Sequence, residues 1–256
     1  KPLPSYLLAI AVGRLEFTSV AGTSIPTRIA TVKGKSHLTG PVVAMVPPIL
    51  AALEKYFGRP YPYEKLDLLA VPEYTYGAME NPGAITYSDQ FLLFDPKSMS
   101  VSQKRQLARF TSHELAHMWF GDLVTMAWWD DLWLNESFAE WMGDKIVMEV
   151  FPELDTDVSG LAETEQAYSD DSRLTARTIR QPVTTVANLL STVDALTYQK
   201  GQSVLDMMES WLGRDNFRRG VLAYLKEHEW GNATEAALWR ALSQASGRDV
   251  GAMGSP

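Results

Sequence analysis

The chain has 256 residues, 46% of them hydrophobic, enough to bury a sizeable core in one large domain or two small ones. Its 23 basic and 31 acidic residues give a net charge of −8, which argues against nucleic acid as a partner, because that binding needs clustered Lys and Arg to displace counterions. With no cysteine, disulfides and thiolate metal sites are excluded; a bound metal has only His, Asp and Glu to use, and the compartment stays open.

Taken in chain order, the opening Lys1-Pro2-Leu3-Pro4 does not resemble a signal peptide. No stretch reaches the roughly 20 apolar residues that a membrane helix needs. The first third reads as strands, over residues 6–17 and 28–32, rich in apolar and β-branched residues and bounded by Gly and Pro. A short helix is expected after Pro47-Pro48, through Ile49, Leu50, Leu53 and Tyr56, ending at Gly58. Strands are expected at 65–71 and 84–88. From Ser102 the period turns helical, with Leu107, Phe110, Glu114 and Met118 on one stripe and Gly121 as a stop. A second helix spans 132–150, stopped by Pro152. Residues 153–193 read as polar loops with short helical pieces, and three helices follow at 198–212, 216–228 and 234–246. A strand-rich part followed by a helical part predicts α+β.

His113-Glu114-Leu115-Ala116-His117 is an HExxH sequence. On a helix, positions i and i+4 share a face with Cβ atoms roughly 5–6 Å apart, so two imidazoles can converge on one ion. Glu114, about 100° further round, is placed to hold a water beside the metal and take its proton. A catalytic zinc usually has three protein ligands and one open position. Glu136, eighteen residues after His117 in the next expected helix, supplies the third. Glu140, one turn later, either accepts a hydrogen bond from a ligand imidazole or is an ordinary surface carboxylate. His37 and His228 have no partner at ligand spacing. The tryptophans, Trp128, Trp129, Trp133 and Trp141 among them, read as core and strand-edge packing.

Gly77-Ala78-Met79-Glu80-Asn81, then His113-Glu114-x-x-His117, then Glu136 after eighteen residues, resemble the zinc aminopeptidase family of membrane alanyl aminopeptidase and the leukotriene hydrolase, a gluzincin group. Lys65-Leu66-Asp67, Val124-Thr125-Met126, Trp128 through Glu136, and Tyr198-Gln199-Lys200-Gly201 match as well. The similarity runs from about Tyr6 to Met253; Ser137 departs from it, where the family usually has Gly. The resemblance implies a thermolysin-like zinc metallopeptidase domain holding one catalytic Zn2+ on His113, His117 and Glu136, with Glu114 as general base. It also implies that Glu80 anchors the substrate's free amino group and that Tyr198 stabilises the transition state. Chemistry supports both roles: a carboxylate grips an ammonium by a charge-assisted hydrogen bond, and a neutral phenol donates to an oxyanion. Gly77, Ala78, Met79, Glu80 and Asn81 are together the expected substrate-binding segment: Gly77 and Ala78 would let their backbone approach and pair with the substrate, and Met79 and Tyr76 either line the first side-chain pocket or serve bulk packing.

Residues 1–12 are expected to close a β-rich domain that is otherwise absent, 13–250 to form the catalytic domain, and 251–256 to include a vector-derived tail. Peptides with a free N-terminus are the expected partners. A scaffold that kept the fold without the chemistry, and a zinc endopeptidase, are the competing readings. The intact HExxH, Glu136 and Tyr198 argue against the first; the Glu80 segment argues against the second.

Overall fold

Leu66-Asp67-Leu68-Leu69-Ala70-Val71 carries apolar side chains toward both faces, the pattern of a strand covered from two sides, and it becomes the centre of a five-stranded sheet. The computed structural model describes residues 1–254, apart from the side chains of Asp157, Ser159 and Met253. Ser255 and Pro256, part of the expected tail, lie outside the described residues. The chain divides into two compact units, one of residues 3–118 with 142–157, the other of residues 1–2, 119–141 and the chain from Val158 on.

In the first unit the elements run β1 (Leu15–Val20), β2 (Thr27–Val32), α1 (Gly40–Phe57), β3 (Leu66–Val71), β4 (Ala78–Met79), β5 (Ala84–Ser88), α2 (Asp89–Leu92) and α3 (Val101–His117). The sheet order is β1-β2-β3-β5-β4. The middle three strands are parallel, and β1 and β4 are antiparallel edges. One charge interrupts the apolar run of β3. Asp67 accepts a forked pair of bonds from Arg28 Nε (2.7 Å) and Nη2 (2.8 Å), its register partner on β2, and a third from Lys65 Nζ at 2.7 Å. Burial opposes ionisation of that carboxyl, but these cations outweigh it and hold Asp67 below its ordinary value.

Two expectations fail here for physical reasons. The strand expected over 6–17 forms only from Leu15. Leu8, Ile10 and Val12 alternate as a strand would, yet are 74%, 82% and 93% exposed, because among the described residues no strand pairs with them. The helix expected to start after Pro48 already runs from Gly40, with both prolines inside it. Each proline forfeits a main-chain bond; Val42, Val46, Ile49, Leu50 and Leu53, all fully buried, more than offset that loss.

The second unit opens with β6 (Val124–Met126), paired in parallel with β7 (Gly231–Ala233), a ribbon that sequence reading missed. Next comes α4 (Leu132–Val150), as expected; its end belongs to the first unit. α5 (Thr156–Asp171), α6 (Val186–Leu190), a π-helical turn (Leu196–Lys200), α7 (Gly201–Leu212), α8 (Arg214–His228), α9 (Glu235–Ser246) and α10 (Gly251–Gly254) follow. α5 stands where loops were expected. Val158, Leu161 and Tyr168 are each at least 60% exposed, so no apolar stripe advertised that helix. The core is aromatic: Phe120 stacks on Phe138, and Trp141 packs between Phe138 and Phe217. A mixed sheet followed by a helical part makes the fold α+β.

Candidate metal centre and active site

The histidine helix is fixed from its start. Ser100 Oγ accepts from the Gln103 backbone N–H (3.2 Å), and Gln103 Oε1 accepts from the Ser100 backbone N–H (2.8 Å), a reciprocal cap that sets the register of α3. At the other end, Nε2 of His113 and Nε2 of His117 stand 3.0 Å apart. Two nitrogens each about 2.0–2.1 Å from one tetrahedral ion would be roughly 3.3 Å apart, so the pair is close to ready for a metal. His117 is buried (1% exposed), as are Glu114 (5%) and Glu80 (6%), and their donor atoms lie within 4.8 Å of one another. Carboxylates buried side by side repel, and a divalent cation beside them offsets that cost. Two imidazoles and a carboxylate suit zinc.

Glu80 follows the edge strand β4. The Ser88 N–H donates to the Gly77 carbonyl (2.9 Å), and the pairs Ala78–Tyr87 and Met79–Thr86 continue the ladder. Antiparallel pairs alternate between bonded and non-bonded, which turns the N–H and C=O of Ala78 away from β5 toward the open edge. Asn81 then secures the turn. Its Nδ2 donates to the Leu7 carbonyl (3.0 Å) and its Oδ1 accepts from Thr86 Oγ1 (2.9 Å), so both ends of this buried amide are engaged within the protein.

Gly77 was expected to make room for a substrate; the structure shows a nearer reason. A Cβ there would lie 2.7 Å from Phe110 Cε1, and Phe110, one turn before Glu114 on α3, is itself stacked on Phe91. The missing side chain lets β4 sit against the helix of the HExxH motif. Gly77→Ala is expected to cost about 1–3 kcal/mol by overpacking. Chemical denaturation would show it as a lowered midpoint, relieved when Phe110→Leu is added; an unchanged midpoint would mean that β4 is not packed this closely.

Tyr87 on β5 is fully buried. Burial pushes its phenol well above the ordinary range and the charge of Glu114 pushes it further, so Tyr87 stays neutral at any working pH.

In the second unit, Glu136 and Glu140 are half-buried on α4. Gln199 Nε2 donates to Glu140 Oε1 at 3.3 Å. Tyr198, also half-buried, sits in the π-helical turn rather than in the ordinary helix expected from 198; such turns favour functional sites. Gly201 closes that turn against Ser137, whose Oγ would stand 1.9 Å from a Cβ at 201. Trp133 and Trp141 are buried as expected, but Trp128 is 59% exposed, its Nε1 donating to the Val183 carbonyl (2.9 Å). Tyr76 is 64% exposed and Met79 half-buried. His37 is exposed, and His228 packs beside Tyr224. Sequence reading gave Phe110 only a place on the helical stripe and passed over Tyr87 and Arg177, because the contacts that matter come from other parts of the chain and carry no motif.

Residues 43–255 match the Peptidase family M1 domain. The chain is a member of peptidase family M1. Its relatives include Aminopeptidase 2 of Candida albicans, 40% identical over 249 residues, covering 97% of this chain and 27% of that protein. Leucyl aminopeptidase of Saccharolobus solfataricus is 42% identical over 250 residues, covering 97% of this chain and 32% of the relative. Aminopeptidase M1-D of Oryza sativa subsp. japonica is 38% identical over 249 residues, covering 97% and 28%. The chain thus spans about a third or less of the length of these M1 relatives. Among its described residues no helix is long and apolar enough to cross a membrane.

Proposed function

We propose that this M1 chain is the catalytic part of a zinc-dependent aminopeptidase, which removes the N-terminal residue from peptides. The observation that carries the reading is the HExxH helix, its two imidazole nitrogens 3.0 Å apart beside the buried Glu80 and Glu114. His113, His117 and Glu136 would hold one Zn2+, which when bound polarises the peptide carbonyl and lowers the pKa of water toward about 7.

The remaining work falls to this chain's side chains. Glu114 takes the proton of the attacking water and passes it to the leaving amine, a relay worth roughly 10²–10⁴-fold. Glu80 grips the substrate's ammonium group, so that only the first peptide bond reaches the chemistry. The outward N–H and C=O of Ala78 pair with the extended substrate, with Gly77 and Met79 flanking that edge. Tyr198 donates to the oxyanion. Asn81 supports the Glu80 turn, and Glu140 lends hydrogen-bonding support near Glu136.

The test is metal content together with hydrolysis of alanyl- and leucyl-amide reporters. One zinc per chain is expected, with turnover lost on chelation and regained on adding Zn2+. His113→Ala is expected to lower zinc affinity at least tenfold. Full zinc occupancy in that variant would sink the ligand assignment, and a zinc-loaded chain that cleaves neither reporter would sink the activity.

A further inference from the structure

The residue next to the proposed transition-state tyrosine is held by an unusual number of bonds. Thr197 is 1% exposed, and every polar group it owns is engaged. Its N–H donates to the Asp194 carbonyl (3.0 Å) and lies 3.2 Å from Asp194 Oδ1. Its hydroxyl donates to the Thr192 carbonyl at 2.5 Å and accepts from Arg177 Nη2 at 2.7 Å. Its carbonyl accepts from Ser137 Oγ, on α4, at 2.5 Å.

Arg177 is the centre of this arrangement. Its side chain is only 15% exposed and it spends every donor group on the segment around it. Nη1 donates to the carbonyls of Thr178 (2.9 Å) and Ile179 (3.1 Å). Nη2 donates to the Thr192 carbonyl (3.0 Å) as well as to Thr197. Nε (3.2 Å) and Nη2 together fork onto the Asp194 carboxylate, which in turn accepts the Leu196 N–H at 3.0 Å. A planar guanidinium can make such a set and an ammonium cannot. At the far end of the turn, Lys200 Nζ bonds Asp171 Oδ1 at 2.5 Å.

We propose that Arg177 is a positioning residue, acting through Asp194 and Thr197 to hold Tyr198 where it donates its hydrogen bond, with Ser137 locking the same turn from α4. The π-helical turn has main-chain bonds of its own, from the N–H of Tyr198 to the Asp194 carbonyl and from those of Gln199 and Lys200 to the Ala195 carbonyl, and the side-chain bonds of Arg177, Asp194 and Ser137 add to them at Thr197. A half-buried guanidinium that donates from all three of its nitrogens acts as a planar clamp on the segments it joins. The inference rests on the reading of Tyr198 as the oxyanion donor.

The test uses tyrosine labelled with 13C at Cζ, read by NMR in the metal-free chain, together with kinetics of the zinc-loaded chain. The Tyr198 line is assigned by its loss in Tyr198→Phe. Arg177→Met keeps the length and removes the donors. It is expected to shift or split the Tyr198 line while leaving in place those of Tyr61, Tyr87 and Tyr224, which are buried elsewhere in the chain at 4% exposure or less. It is also expected to lower kcat by up to about 100-fold with KM nearly unchanged, as a misplaced catalytic group does, and Arg177→Lys is not expected to rescue it. In the Tyr198→Phe background, Arg177→Met is expected to lower kcat no further. Should Arg177→Met not fold, Thr197→Val, which removes only the hydroxyl from the network, carries the same expectations.

An unmoved Tyr198 line overturns the inference. So do losses that multiply in the double variant, and a general shift of all buried tyrosine lines, which would mark a role in the fold alone. If Tyr198→Phe by itself leaves kcat intact, the reading of Tyr198 falls and takes this inference with it; if Tyr198→Phe is impaired and Arg177→Met is not, only the inference falls.

Discussion

Replacing Glu114 with Gln is expected to lower kcat by roughly 10²–10⁴-fold while zinc content and fold are retained. Gln has nearly the volume of Glu and still accepts a hydrogen bond, but it cannot take a proton. Glu114 lies between the two histidines in sequence, is 5% exposed, and shares a cluster with Glu80 and His117. Burial keeps bulk water from substituting for it as a base. Stopped-flow or long-time hydrolysis of an alanyl-amide reporter, with metal analysis of the same preparation, measures the effect. Activity within tenfold of the parent at equal zinc content would remove Glu114 from the mechanism.

The second large effect concerns the amino group. Glu80→Ala is expected to lower kcat/KM on free-amine substrates by about 10–150-fold, the worth of a hydrogen bond to a charged group at roughly 1.5–3 kcal/mol. N-acetylated peptides, which carry no ammonium, are expected to be poor substrates for the parent and no poorer for the variant. That pairing separates an amine anchor from a general contribution to the site. Ready cleavage of acetylated peptides by the parent would make this chain an endopeptidase, because no anchor would then be selecting the first bond. The turn carrying Glu80 is held by Asn81, through Leu7 and Thr86, and by the bond from the Asn81 N–H to the Met79 carbonyl, none of which uses the Glu80 carboxylate.

Where local chemistry decides, the sequence was readable. α4 runs from Leu132 to Val150 as its period and Pro152 indicated. β3 and β5 follow their apolar runs closely, and α8 and α9 lie within two residues of their expected bounds. Where a local signal was contradicted by context, the reading went astray. Pro47 and Pro48 mark a helix start by local rules yet lie in an interior, since burial along α1 outweighs two missing bonds. Alternating Leu8, Ile10 and Val12 announced a strand that has no described partner to pair with. α5 gave no period because its apolar side chains are largely exposed.

The proposed site divides in the same way. Spacing within one helix is a local property: a four-residue step brings two imidazoles to one face whatever surrounds them, and so His113 and His117 could be paired from the sequence alone. The order and spacing of the motifs sufficed to suggest the family, and with it Glu80, Glu136 and Tyr198. What no spacing could reveal were contacts between residues far apart in the chain. Phe110 crowds any side chain at Gly77 across thirty-three positions, Ser137 reaches Thr197 across sixty, and Arg177 gathers two threonines and an aspartate into one bonded set. Such contacts depend on which faces meet when helices and strands pack. That is settled by burial and hydrogen-bond satisfaction over the whole unit, not by any residue and its immediate neighbours. The sequence by itself determined the chemistry available to this M1 chain; the tertiary structure decided which side chains hold that chemistry in place.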